Sequence, residues 1–96
     1  MTFSPESPLR QATGAVSRLA ATEALVLDLG SERIFRLDPV GARIWGLIGE
    51  KRTFREILAV IVAEYEVEPE RARADLDRLV GELAALGLVQ VGDVRG

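Results

Sequence analysis

At 96 residues, 48% hydrophobic and 28% charged, the chain is long enough for one small core and too short for a second domain. It contains neither Cys nor His, which excludes disulfides, thiolate nucleophiles, cysteine zinc sites, a Ser-His-Asp relay and any side chain that ordinarily titrates near neutrality. Twelve basic residues against fifteen acidic ones give a net charge of -3, the wrong sign for a surface built to neutralise nucleic-acid phosphates.

Few groups are left for catalysis. Ser4, Ser7, Ser17 and Ser31 sit in no nucleophile motif, and the glycines form neither a G-x-x-x-x-G-K nor a G-x-G-x-x-G phosphate loop. The expectation is therefore a chain that is not an enzyme and carries no cofactor or metal. The longest apolar run, Ile57 to Ala63, is far below the roughly 18 residues of a membrane span. Glu6 and two prolines stand where a secretory leader would be basic and apolar, so the expected location is cytoplasmic.

In chain order, residues 1–14 have no apolar periodicity and read as a flexible arm outside the core. From Ala15 to Leu37 the period is two. Val16 marks a first strand, Leu25, Leu27 and Leu29 alternate with Val26 and Asp28 in a second, and Phe35 and Leu37 alternate with Ile34 and Arg36 in a third. Gly30-Ser31-Glu32 supplies the second turn, with Gly30 tolerating a positive φ, and Ala21-Thr22-Glu23 is a weaker first turn. The result is an antiparallel meander with one apolar face.

At Asp38-Pro39 the period becomes helical, with Asp38 as N-cap and Pro39 at the first helical position. Val40, Ile44, Leu47 and Ile48 form the stripe of this first helix, Trp45 is read as core and Gly49 ends the helix. Thr53-Phe54-Arg55-Glu56 is a capping box opening a second helix, with Phe54, Ile57, Leu58, Ile61 and Tyr65 on one side and an end near Glu66. The third helix starts at Pro69 and buries Ala72, Leu76, Leu79, Val80, Leu83 and Leu86. Gly87-Leu88 reads as a Schellman end with Leu88 folding back on Leu83, followed by a short extension to Val91 and a flexible tail over 92–96. The folded domain is thus expected over 15–91.

Three strands followed by three helices make an α+β domain whose helices cover one sheet face. Such a meander has two edges, which must be protected or used to add a partner's strand. The third strand, Arg33 to Leu37, is short and carries two arginines, which suits either purpose.

Several segments together resemble the PqqD family: Leu27-Asp28-Leu29, Phe35-Arg36-Leu37-Asp38, Gly41-Ala42-Arg43-Ile44-Trp45, Ala74-Asp75-Leu76 and Leu83-Ala84-Ala85-Leu86-Gly87-Leu88-Val89. The resemblance spans residues from about 23 to 90, with Val40 where a Thr commonly precedes the glycine. It implies a winged-helix-like recognition element that binds the leader of a ribosomally made precursor peptide and hands it to a leader peptidase, as in lasso-peptide pathways, or to a radical SAM maturase. It also implies that the leader pairs with the third strand at Arg33, Ile34, Phe35, Arg36 and Leu37. The leader's side chains would then rest against Ala72, Asp75, Leu76 and Leu79, with Arg71 or Arg78 fixing a charged group. A winged-helix DNA-binding regulator is the alternative, which the net charge of -1 over Pro69 to Leu86 opposes: Arg71, Arg73 and Arg78 against Glu70, Asp75, Asp77 and Glu82. A homodimer paired through third strands is compatible with leader binding.

Overall fold

The computed structural model describes residues 6–19 and 23–92. Five strands and three helices run in the order β1 (Leu9–Gln11), β2 (Ala15–Leu19), β3 (Ala24–Asp28), β4 (Arg33–Leu37), α1 (Pro39–Gly49), α2 (Phe54–Glu64), α3 (Pro69–Ala85) and β5 (Val89–Val91). The expected meander is β2-β3-β4, antiparallel throughout, with Val16 opposite Leu27 and Leu27 opposite Ile34. The expected first turn over 21–23 falls mostly outside the described residues, while the second turn is organised by Asp28. Its carboxylate accepts from the Gly30 N–H at 3.1 Å and the Ser31 hydroxyl at 2.8 Å, and its carbonyl accepts from the Glu32 N–H. The positive φ lies at Glu32 (59°) and not at Gly30.

The apolar face of β3 is the opposite of the one its three leucines suggest. Ala24 and Val26 are buried, opposite Leu37 and Phe35, whereas Leu25 faces out. Leu25-Val26-Leu27 is apolar on both faces, so alternation alone does not choose between them; packing of α1 across β3 and β4 does.

The helix signals are realised locally. Asp38 Oδ1 accepts from the Gly41 N–H at 2.7 Å, and Thr53 and Glu56 exchange both capping-box bonds, at 3.2 and 2.9 Å. Trp45 is buried with Ile44, Leu47 and Ile48, and α2 stops at Glu64, two residues before the expected end. At the end of α3 the Leu88 N–H reaches the Leu83 carbonyl and the Gly87 N–H the Ala84 carbonyl, the paired bonds of a Schellman motif, with Gly87 at φ +78° and Leu88 buried. Leu86 is 40% exposed, against the expectation that it joins the buried stripe, because the chain turns away from α3 there.

The largest correction concerns residues 1–14, expected to lie outside the core. Residues 1–5 are outside the described residues, but Leu9 is fully buried and β1 pairs antiparallel with β5. The Leu9 N–H donates to the Arg52 carbonyl, the Phe54 N–H to the Ser7 carbonyl and the Gly92 N–H to the Pro8 carbonyl. The Gln11 side chain donates to the Trp45 carbonyl at 3.0 Å and lies against Gly49, the last residue of α1 as expected: a Cβ there would stand 2.8 Å from Gln11 Nε2. The left-handed residue after this helix is Lys51, φ 62°. None of these partners is local in sequence, so no periodicity in the segment announces them. Of the expected tail over 92–96, Gly92 is held by Pro8, and the rest is outside the described residues.

Helices α1 and α2 are joined by a two-pronged ion pair, Arg43 Nε and Nη2 to the Glu64 carboxylate at 2.9 and 2.7 Å. That hydrogen bonding holds the Glu64 carboxyl below the usual carboxylate range. A carboxyl lowered in the folded state stabilises the protein above its unfolded pKa and loses that contribution as pH falls through the folded value. Glu64→Gln is thus expected to be less stable than the parent at neutral pH, with the difference vanishing in acid. Urea melts at both pH values check this; a difference that persists in acid would assign the effect to packing. Both side chains are well exposed, so the effect is small.

Candidate peptide-binding site

The hydrogen-bond phase of the sheet determines what its edge offers. The Leu29 N–H donates to the Gly14 carbonyl, which makes that position a hydrogen-bonded pair. Alternation along an antiparallel ladder then directs the main-chain groups of Ala24, Val26 and Asp28 toward β4, and those of Arg33, Phe35 and Leu37 back toward β3. Ile34 and Arg36 therefore aim their N–H and C=O groups at the open edge. Among the described residues no strand pairs with that edge.

Beside the edge, α3 packs chiefly against α2 and β5, leaving a groove of about 510 Å³ between β4 and α3. Arg36 and Leu37 line it from β4, and Asp75, Arg78, Leu79 and Glu82 from α3. The first turn of α1 supplies the floor through Asp38, Val40, Gly41 and Ile44. Arg78 thus stands among three carboxylates, one of which, Asp38, is already engaged as the α1 cap; Arg36 lines the groove from the strand edge, its side chain sharing the other sheet face with that of Ile34.

A second cavity of about 150 Å³ continues from the groove between the helices. Val40, Ile44, Ile61, Tyr65, Val67, Ala72 and Leu76 make it apolar, with Asp75 its one charged wall. Val40, Ile44 and Asp75 belong to both spaces. Asp75 lies 3.9 Å from Arg71 Nε and 3.8 Å from Arg78 Nη2, both contacts exposed, so water screens them.

The expected site residues are distributed accordingly. Leu37, Arg36, Asp75, Arg78 and Leu79 meet in the groove; Ala72, Leu76 and Asp75 meet in the smaller cavity. Arg33, Ile34, Phe35 and Arg71 line neither space. Phe35 packs on the core, Ile34 is 69% exposed on the other sheet face, Arg33 is exposed and Arg71 stands on the exposed side of α3. Sequence reasoning missed the floor from α1. By period Val40 and Ile44 belong to the core stripe, where Ile44 is buried, and Asp38 is the cap; only the gap between β4 and α3 makes them walls of the groove as well. Ile61 and Tyr65 belong by period to the α2 stripe and Val67 lies in the connection to α3, so no signal in the sequence marks them as walls of the smaller cavity.

An open strand edge beside an apolar cavity and a mixed-charge groove defines a small winged-helix-like module equipped to take up an extended segment. The chain belongs to the PqqD family, Coenzyme PQQ synthesis protein D, which matches residues 23–89. No curated protein matches it. Two solved structures are similar. TbiB1 in complex with the TbiA(beta) leader peptide is 33% identical, with a TM-score of 0.81 over 84% of this chain and 94% of that one. Lasso peptide synthetase B1 complexed with the leader peptide is 22% identical, with a TM-score of 0.78 over 86% of this chain and 98% of that one, and shares the fold. No helix among the described residues is long and apolar enough to cross a membrane.

Proposed function

We propose that this chain binds the leader region of a ribosomally made precursor peptide and delivers it to a maturation enzyme, a leader peptidase or a radical SAM enzyme, without catalysing a reaction itself. The leader adds a strand to β4, exchanging main-chain hydrogen bonds with Ile34 and Arg36. Its side chains on the inner side reach the groove, and one apolar side chain fills the cavity above Ala72 and Leu76. Asp75, Arg78 and Arg71 select charged or polar leader groups. The observation that carries this reading is the open β4 edge lying directly beside the groove; the leader-bound state of the 33% identical TbiB1 supports it.

The test is a titration with the synthetic leader of the precursor encoded beside this chain's gene, followed by amide NMR shifts against a scrambled peptide. Saturable shifts over Arg33 to Leu37 and Ala72 to Leu79, with none from the scramble, are expected. A folded protein that shows no saturable shift would overturn the proposal. Leu79→Asp is expected to weaken leader binding about tenfold or more, since it places a third carboxylate beside Asp75 and Glu82 and removes an apolar wall. Leu79 is only half-buried, so the variant keeps its fold, which circular dichroism checks. Unchanged affinity in the folded variant would remove the groove from the site.

A further inference from the structure

Helix α1 packs on one face of the β2-β3-β4 sheet, across β3 and β4, and among the described residues nothing covers the other. On that outer face the register places Val16, Leu27 and Ile34 in one row across the three strands, and Arg18, Leu25 and Arg36 in the next. Val16 is 50% and Ile34 69% exposed, and Leu25 is also exposed. The strand positions of this face hold two guanidinium groups and no carboxylate; Glu23, just before β3, approaches Arg36 at 3.8 Å. A chain of net charge -3 therefore presents one apolar face with a positive border. Contiguous exposed apolar residues mark interaction surfaces, and apolar residues with arginine make up the well-packed part of protein interfaces.

Charge decides between occupants. A second copy docked face to face would bring four guanidinium groups into one interface. A lipid surface is held by clusters of about four to eight basic residues, and two are present here. A folded protein whose contact surface is apolar and flanked by carboxylates fits both rows. The face is also continuous with the β4 edge: every second residue of a strand added there lies on this side, next to Ile34.

We propose that the outer sheet face is where the enzyme that processes the precursor docks, through an apolar surface bordered by carboxylates, while the leader occupies the edge and groove. This rests on the leader-binding function proposed above. The test uses Val16→Glu/Arg18→Glu on β2, two strand spacings or about 9.5 Å from β4, with Arg18→Lys as the conservative control. Leader affinity is read by fluorescence polarisation, and precursor conversion by the purified peptidase or maturase encoded with the precursor at sub-saturating concentration. Leader Kd within twofold of the parent, conversion at least tenfold slower, recovery in Arg18→Lys and a salt-sensitive parental rate are expected. Conversion that is unchanged in the double variant overturns the proposal. So does a parental dimer in sedimentation that the double variant abolishes, which assigns the face to a second copy, or binding of the parent to phosphatidylglycerol vesicles that the variant loses. Failure of the parent to bind leader at all overturns the function itself, and polarisation separates that result from a failure of docking alone.

Discussion

Ile34→Pro is expected to weaken leader binding by at least tenfold while leaving the domain folded. The Ile34 N–H is aimed at the open edge, so proline removes no bond of the β3-β4 ladder. It does remove one of the two edge donors, and its ring occupies the space into which an incoming strand must come. A net hydrogen bond contributes about 0.5–1.5 kcal/mol, and tenfold in affinity corresponds to about 1.4 kcal/mol, so the lost donor together with the steric block reaches or exceeds that figure. Phe35→Pro is the informative contrast, because its N–H faces β3 and its ring packs on the core. That variant is expected to lose the fold. Isothermal titration with the leader, beside amide spectra of both proteins, decides the matter. Wild-type affinity in a folded Ile34→Pro protein would rule out strand addition at β4.

Leu9→Ala is expected to destabilise the domain by about 2–5 kcal/mol, the usual cost of truncating a fully buried leucine. In a domain whose whole stability is of order 5–15 kcal/mol this is a large fraction, and each kcal/mol lowers Tm by roughly 4–8 °C at this size. The reason is tertiary. Leu9 sits beneath β5 and α1, and its N–H holds the Arg52 carbonyl in the connection between α1 and α2. If the segment were a loose arm, the same substitution would change stability by less than about 0.5 kcal/mol. Urea unfolding monitored by Trp45 fluorescence distinguishes the two. Leader affinity of the folded variant is expected to be unchanged, since neither the groove nor the β4 edge includes Leu9.

Much of the candidate site was legible from residue order. The strand Arg33–Leu37 and the helix from Pro69 were placed at the observed starts, and Leu37, Asp75, Arg78 and Leu79 do converge on one groove. What sequence could not show was that Asp38, Val40, Gly41 and Ile44 floor that groove. Those residues carry a helix start and an apolar stripe, signals complete in themselves, and their place on the groove wall follows from how far α3 stands from β4.

The sequence by itself determined the elements whose causes are local: the Asp38 cap with Pro39, the capping box of Thr53 and Glu56, the Schellman end at Gly87, the helical stripes and the three-strand meander. Composition also determined, without any structure, that His and Cys chemistry has no place here. Only the tertiary structure decided which face of Leu25-Val26-Leu27 is buried, because both faces are apolar and α1 selects one. It alone tied Leu9 and Gln11 to Val91 and Val89 across the length of the chain, since a three-residue strand is held by its partner and not by its own propensity. And it alone set the phase of the ladder that turns Ile34 and Arg36 outward, because that phase belongs to the pairing of strands and to no single residue.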